Sequence, residues 1–359
     1  MPEIVKGPEE ITAVWLTEAL KQAGRLDTRV EKVSIQPIGA GVGLMGELAR
    51  LSIEYAGSET LPRTMVAKCA TRTESRAVAQ VLDFYKREVN FYNRLAHECP
   101  FRVPETYFGA VDEDTHDFVL LMEDLGDVAP NDQIAGSSPE EALQKVVAIA
   151  KLHARYWERI REPQYGWMYD SMSPESGGLL RDRVYAPSLG PALDKFVDHF
   201  PGTARDLCGR VGEQFVEILG KVSPAYTFVH GDYRQDNFIY RSGDRASVVM
   251  DWQISGAGHG IFDVAYFICQ SLRPDLRRTL ERPLLEAYCA QLRAEGVADY
   301  DFATAWDDYR LLCLYCLIYP ITVCGSLDLA NPRGRALAEC MLERNLSVID
   351  DLGCADLLA

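Results

Sequence analysis

A chain of 359 residues exceeds the usual extent of one hydrophobic core, so two closely packed lobes are expected. Its 47% hydrophobic and 25% charged residues are those of a folded protein and exclude a disordered one. The formal net charge of −16 excludes a nucleic-acid partner held through its phosphates, which requires a surplus of Lys and Arg.

The opening MPEIVKGPEE lacks the basic and then apolar pattern of a secretory leader, and a cytoplasmic setting is expected. PEEITAVWLTEALKQAG places Ile11, Val14, Trp15, Ala19 and Leu20 at helical spacing, with Gly24 as a stop. EKVSIQPIG, ELARLSIEY and RTMVAKCA read as three strands separated by turns containing Gly and Pro. SRAVAQVLDFYKREVNFYNRLA reads as one long amphipathic helix, and FVLLMEDLG as a buried strand ending in an acidic, glycine-punctuated turn. Beyond it the pattern is mostly helical. Ser138 and Glu141 have capping-box spacing ahead of a helix over 139–160, and a stretch rich in Gly, Pro and Ser covers 161–190. Helical patterns return near 191–221, 275–296, 301–320 and 333–352, interrupted by a β island running from TFVHGDYRQDNFIY to SVVMDW.

No apolar run approaches the roughly 20 residues that span a bilayer, so no membrane partner is expected. The ten cysteines are scattered. Cys313 and Cys316 form a CxxC, with Cys324 beyond it, but no second pair or nearby His completes a tetrahedral metal set; inert buried thiols are expected. A β-rich first third and a helical remainder predict an α+β fold of two lobes, residues 1–123 and 124–359.

The β island carries the chemistry. HGDYRQDN puts His230, Asp232 and Asn237 in one loop, and VVMDW presents Asp251 after a β-compatible run. Phosphoryl transfer from ATP needs a carboxylate to orient the acceptor hydroxyl and oxygen ligands for magnesium. Asp232 suits the first task; Asn237 and Asp251 suit the second. Taken alone, an Asp and an Asn in one loop read as well as Asx-turn formers, and the later Asp251 is what favours the metal site. His230 and Asp263 read as supports for the loop, with Asp263 capping a helix or accepting loop amides, and Asp236 as loop structure.

HGDYRQDN followed by VVMDWQ resembles the catalytic loop and metal motif of the aminoglycoside phosphotransferase and choline kinase superfamily. The DWQISGAGHGIFDVAYFI continuation and the earlier REVNFY place the resemblance nearest its ecdysteroid-kinase-like branch, over about residues 30–350. It implies the bilobal protein-kinase-like fold, with a small β-rich N-lobe for the nucleotide and a larger helical C-lobe for the catalytic loop and acceptor. It implies a kinase using Mg2+ and ATP, with GTP as an alternative donor. By the same resemblance Asp232 is the base, Asn237 and Asp251 hold magnesium, and Lys68 of MVAKCA pairs with Glu88 of KREVNFY to place the phosphates. Gly39, Gly41, Gly43 and Gly46 lie in IGAGVGLMGELARL, where glycines would let backbone amides approach phosphate; Gly41 and Gly43 are the candidates. No GK[ST] follows, so it is not a Walker A loop. In LLMEDLG, Glu123 and Leu125 would offer backbone groups to adenine, with Met122 nearby. His153 of AKLHARYW reads as packed rather than catalytic.

The acceptor implied is a hydroxyl-bearing small molecule in the helical lobe. Trp157, Trp167, Tyr169, Trp306, Tyr315 and Tyr319 could cage a quaternary ammonium or line a steroid-sized pocket, and each reads equally as core. The resemblance tilts toward a hydrophobic, steroid-like alcohol; the sequence carries no signal for an oligomeric state. Two other functions compete. One is a catalytically silent nucleotide-binding regulatory module, against which the intact Lys68, Asp232, Asn237 and Asp251 count. The other is a protein kinase, against which DWQ in place of DFG and the lack of an APE motif count.

Overall fold

The computed structural model describes residues 2–38, 45–57, 60–73, 75–126, 128, 131–240, 247–326 and 331–358. In chain order its elements begin with α1 (Ala13–Gln22), β1 (Val30–Ile38), β2 (Gly46–Tyr55), β3 (Thr64–Ala70), α2 (Ser75–Val81), α3 (Phe84–Arg94), β4 (Thr106–Val111) and β5 (Phe118–Glu123). Helices α4 (Pro139–Tyr156), α5 (Pro174–Leu180), α6 (Ala186–Lys195), α7 (Gly202–Glu213) and α8 (Phe215–Lys221) follow. Short strands come next: β6 (Thr227–Val229), β7 (Phe238–Ile239), β8 (Val248–Val249) and β9 (Gly256–Gly258). The last helices are α9 (Ile261–Ser271), α10 (Pro274–Ala294), α11 (Phe302–Tyr315), α12 (Ile318–Ser326) and α13 (Pro332–Asp351). The chain forms two compact units, Met1–Ala129 with Tyr240–Ile254, and Pro130–Ile239 with Ser255–Ala359. The segment bearing Asp251 thus belongs with the first unit.

The first unit is built on an antiparallel sheet in the order β1-β2-β3-β5-β4. Strand alternation gives the sheet two faces, both covered at the central strands β3 and β5. Met65, Ala67 and Cys69 of β3, with Leu51, Ile53, Val119 and Leu121, pack against Trp15, Leu16, Ala19 and Leu20 of α1. Lys68 and its cross-strand partner Leu120 lie on the other face, where Tyr85 of α3 stacks on Phe118 at 4.4 Å. The long helix expected over 75–96 is broken in two. Asp83 adopts a left-handed φ of 55°, and the Arg87 guanidinium donates to the Leu82 carbonyl at 3.3 Å, satisfying an acceptor that the break leaves without a helical donor. Strand β4 was not anticipated because Gly109 weakens its pattern. That glycine is where the helix comes close: a Cβ there would stand 2.8 Å from Leu120 Cδ2 and 3.0 Å from Asn93 Oδ1.

The second unit starts from α4, whose N-terminus carries the complete Ser138–Glu141 capping box. Strands β6 and β9 pair antiparallel, Thr227 opposite Gly258 and Val229 opposite Gly256, and every residue of α9 is buried. Part of the 161–190 stretch is helical rather than irregular. Ser173 accepts from the Ser176 N–H and Pro174 occupies the first turn, which starts α5 despite the composition. The expectation that no run is apolar enough to span a bilayer also needs correction. Phe302–Ser326 qualifies by length and composition, and 67% of its apolar window is buried inside the protein, as in a core helix. None of the ten cysteines forms a disulfide. Among the described residues no group of three or more His, Cys, Asp or Glu is placed to hold a metal.

Candidate active site

In the first unit, β3 and α3 bring two of the predicted residues together. Lys68 Nζ stands 2.8 Å from Glu88 Oε1 and 2.7 Å from Oε2. Asp251 Oδ1 is 3.6 Å from the same ammonium. Side-chain exposure is only 12% for Lys68 and 2% for Glu88, so water screens the pair little. Burial opposes the charge on Lys68, but Glu88 and then Asp251 outweigh it and hold the ammonium pKa above its ordinary value.

Asp251 is presented by a strained backbone, with φ at 62° in the left-handed region that Asp tolerates better than most residues. What holds it there is α3. The indole of Trp252 is fully buried and stacks on Phe91 at 3.8 Å with 8° between the planes. The Arg87 guanidinium donates to the Ile254 carbonyl. One helix therefore grips both Lys68, through Glu88, and the segment bearing Asp251. Asp251 Oδ1 is buried and accepts no hydrogen bond among the described residues. A buried carboxylate oxygen without a donor, beside an ammonium and not bonded to it, fits a cation ligand. Mg2+ is commonly held by one or two side chains plus phosphate oxygens and waters, so the lack of a three-carboxylate cage does not disagree with that fit.

Gly41 and Gly43, like Gly39, lie outside the described residues. Gly46 lies tight against Lys68: a Cβ there would be 3.1 Å from Lys68 Cε. Glu123 ends β5 with its N–H on the Glu105 carbonyl at 2.8 Å and its carboxylate on Arg102 Nη2 at 2.6 Å. Leu125, 8% exposed, follows in the acidic, glycine-punctuated turn. Asp124 closes it, accepting from the Gly126 N–H at 3.0 Å and pairing with Arg50 of β2 at 2.8 Å.

In the second unit, the loop after β6 brings Asp232 and Asn237 together. Asn237 Nδ2 donates to the Asp232 carbonyl at 2.7 Å and to Asp232 Oδ2 at 2.9 Å, which turns Asn237 Oδ1 away from that carboxylate. His230 Nδ1 accepts from the Asp232 N–H at 3.1 Å. Asp263 of α9 accepts from the His230 and Gly231 N–H groups at 2.7 and 2.9 Å, and its Oδ2 lies 3.2 Å from His153 Nε2. His153 and Asp263 are fully buried and hold the loop. Asp236 accepts from the Gln133 N–H at 2.9 Å.

Around Asp232, Arg234 and Tyr266 escaped the sequence reading, and Tyr319 was named there only as candidate aromatic surface. Arg234 bridges the loop's two carboxylates, with Nε 3.0 Å from Asp232 Oδ1 and Nη1 3.1 Å from Asp236 Oδ2. Its signal was present, a lone cation two places after Asp232. The Tyr319 hydroxyl donates to the Gly231 carbonyl at 2.6 Å, and its ring stacks on Tyr266 at 4.0 Å. Burial and then the Asp232 charge push the Tyr266 phenol well above its ordinary pKa. No local pattern marks these tyrosines, since α9 and α12 are predominantly apolar and α9 holds other buried rings.

Of the other aromatic candidates, Tyr315 is core against Phe215 at 4.6 Å, Trp157 meets Tyr300 at 5.1 Å, and Trp306 carries the Arg282 guanidinium at 4.0 Å. The 161–174 stretch lines a cavity of about 550 Å³ together with Leu219, Tyr226 and His259. That cavity opens where β6 begins, whereas Asp232 follows that strand's other end and is not among the lining residues.

A family model described as ecdysteroid kinase-like matches residues 40–297. The chain is 13% identical to a choline kinase of Cryptosporidium parvum, covering 90% of this chain and 91% of that one, with a TM-score of 0.54. It is 14% identical to a mutant aminoglycoside 2'-phosphotransferase-IIIa in complex with GDP, covering 96% and 100%, with a TM-score of 0.51. These likenesses show the bilobal kinase-like α+β fold. A mouse protein named acyl-CoA dehydrogenase family member 10 is 28% identical over 135 residues, 33% of this chain; the match spans 12% of that protein's length.

Proposed function

Because the chain belongs to the ecdysteroid kinase-like family, we propose that it is a small-molecule kinase moving the γ-phosphoryl group of ATP to a hydroxyl of its substrate. The observation that carries this reading is the Lys68–Glu88 pair with Asp251 Oδ1, buried and accepting no hydrogen bond among the described residues, 3.6 Å from the same ammonium. Magnesium, when bound, neutralises charge on the β- and γ-phosphates. Asp251 and the Asn237 amide oxygen are the ligands this chain offers it. Lys68, kept charged and oriented by Glu88, places the nucleotide phosphates, and the Glu123–Leu125 backbone takes the adenine. Asp232 orients the acceptor hydroxyl and receives its proton; Asn237 and Arg234 fix the carboxylate for that task. The donor is ATP with GTP as the competitor, the acceptor a small alcohol. Ten thiols with no disulfide among them suit a reducing, cytoplasmic setting.

Thermal unfolding with ATP, GTP or neither, each with and without Mg2+, tests the site. A ligand at about 100 times its dissociation constant stabilises the folded state by roughly 2.7 kcal/mol, visible as a raised midpoint. A magnesium-dependent rise with one nucleotide supports the reading and selects the donor. A nucleotide-dependent rise without any phosphate transfer or release would favour the silent regulatory module, and no shift with any combination would count against nucleotide binding altogether.

A further inference from the structure

Beneath the loop that bears Asp232 and Asn237 lies a lysine that none of these roles uses. Lys145 of α4 is 3% exposed. Its Nζ donates to Gln235 Oε1 at 2.6 Å and lies 3.5 Å from Ser137 Oγ. The same ammonium stands 4.5 Å from the centroid of the Phe238 ring and 5.9 Å from that of Phe267. Gln235 opens the single turn Gln235–Asn237 and Phe238 follows it directly, so the cation touches the chain on both sides of Asp236 and Asn237. The Lys145 carbonyl adds a third hold, accepting from the Tyr233 hydroxyl at 2.9 Å.

Methionine would fill this space without a desolvated charge, so volume alone does not explain a lysine here. What the charge adds is direction: a strong donor for one carboxamide and attraction to a ring face, acting on one short turn. Burial lowers the ammonium pKa to about 8, against the support of Glu141 one turn earlier on α4, the charged group that faces it. The Glu141 carboxylate is itself bonded to the Ser138 N–H at 3.1 Å.

We propose that Lys145 is a positioning residue whose ammonium, clasped between the Gln235 carboxamide and the Phe238 ring, sets the turn that presents Asn237. What the turn is for rests on the kinase reading above; the clasp itself does not. Asn237 reaches Asp232 at both its carbonyl and its carboxylate, so a shift of the turn moves both residues. Burial holds the pKa of the closed-state ammonium below that of a lysine that opening returns to water, so raising pH through it relieves the desolvated charge and favours the closed turn.

The test is hydrogen exchange of peptides covering 230–238 in the full chain, for wild type, Lys145→Met and Lys145→Arg at pH 7 and pH 9, corrected for intrinsic rates. Phosphate release from Mg·ATP, with water as acceptor, is followed alongside. Lys145→Met is expected to speed exchange of the loop about tenfold or more, with α10 and α13 unchanged, and Lys145→Arg to restore protection. Wild type should gain loop protection between pH 7 and pH 9, as the desolvated charge is relieved, and the arginine variant, charged throughout, should not. Turnover should fall by a similar factor in Lys145→Met through kcat, with the nucleotide KM little changed. Equal loop protection in wild type and Lys145→Met, or no pH effect in wild type, overturns the clasp. The second arm stands even if the methionine variant does not fold. Loop exchange as expected, in a wild type that releases no phosphate and binds no nucleotide, would sink the kinase reading and leave the clasp standing.

Discussion

Replacing Lys145 by methionine should change the pH dependence of stability in the sense opposite to losing an ordinary salt bridge. The ammonium pKa falls from 10.5 to about 8 in the folded protein, chiefly through burial, with Glu141 acting the other way. Between about pH 8 and pH 10.5 the unfolded chain therefore binds more protons than the folded one, and wild-type stability from this group rises with pH. Below pH 8 both states are charged and the whole penalty stands, roughly 3 kcal/mol at about 1.4 kcal/mol per pK unit. Between pH 7 and pH 9.5 about 2 kcal/mol of it is relieved. Methionine carries no titrating proton. Its stability relative to wild type should accordingly be about 2 kcal/mol more favourable at pH 7 than at pH 9.5. The loss of the Gln235 donor, about 1–3 kcal/mol, is common to both conditions and drops out. Urea unfolding followed by far-UV circular dichroism, with the m-value checked for constancy, measures the difference. A change below about 0.5 kcal/mol between the two conditions would show that the ammonium is not desolvated, and the reasoning would fail.

Four further substitutions address the two units. Asp232→Asn should lower turnover by about 10²–10⁴ while leaving the Mg·nucleotide midpoint shift in place, and full activity would remove Asp232 from the base role. Asp251→Ala should weaken magnesium-dependent nucleotide binding, read by the same midpoint shift, and binding as tight as wild type would end the metal assignment. Trp252→Ala removes the indole stacked on Phe91 and should cost about 3–5 kcal/mol in urea unfolding of the first unit. Gly260→Ala would set a Cβ 2.8 Å from the Tyr288 hydroxyl, 2.9 Å from Thr227 Cγ2 and 3.1 Å from His153 Nδ1; an overpacking cost of about 1–3 kcal/mol is expected, measured the same way.

Much of this arrangement is legible in the chain because its signals are local. The period-2 pattern of RTMVAKCA places Lys68 on one sheet face, and the five-residue separation of Asp232 and Asn237 suits a single loop. What escaped is set by contacts distant in sequence. The left-handed Asp83 breaks a helix whose composition runs on without interruption. The clasp of Lys145 depends on Gln235, 90 positions away, and that of Tyr319 on Gly231, 88 positions away. An apolar helix conceals which of its aromatic hydroxyls turns toward a carboxylate. The membership of 240–254 in the first unit is of the same kind, since Trp252 reads as apolar from sequence and finds Phe91 only in three dimensions.

Eight of the ten cysteines are buried, and only Cys99 and Cys340 are half-exposed. A thiol reagent added to the native protein therefore meets two sulfurs at once and the rest only when structure opens. Cys69 lies on β3 beside Lys68, whereas Cys208, Cys269, Cys289, Cys313, Cys316, Cys324 and Cys354 lie in the helical unit. The labelling clock of each is thus a separate gauge of local opening, with mass spectrometry assigning every modified peptide. A nucleotide that closes down the Lys68 region should slow the Cys69 clock. An acceptor held by the helical unit should slow the others and leave Cys69 as it was, so the wild-type chain can sort candidate ligands by the unit they touch.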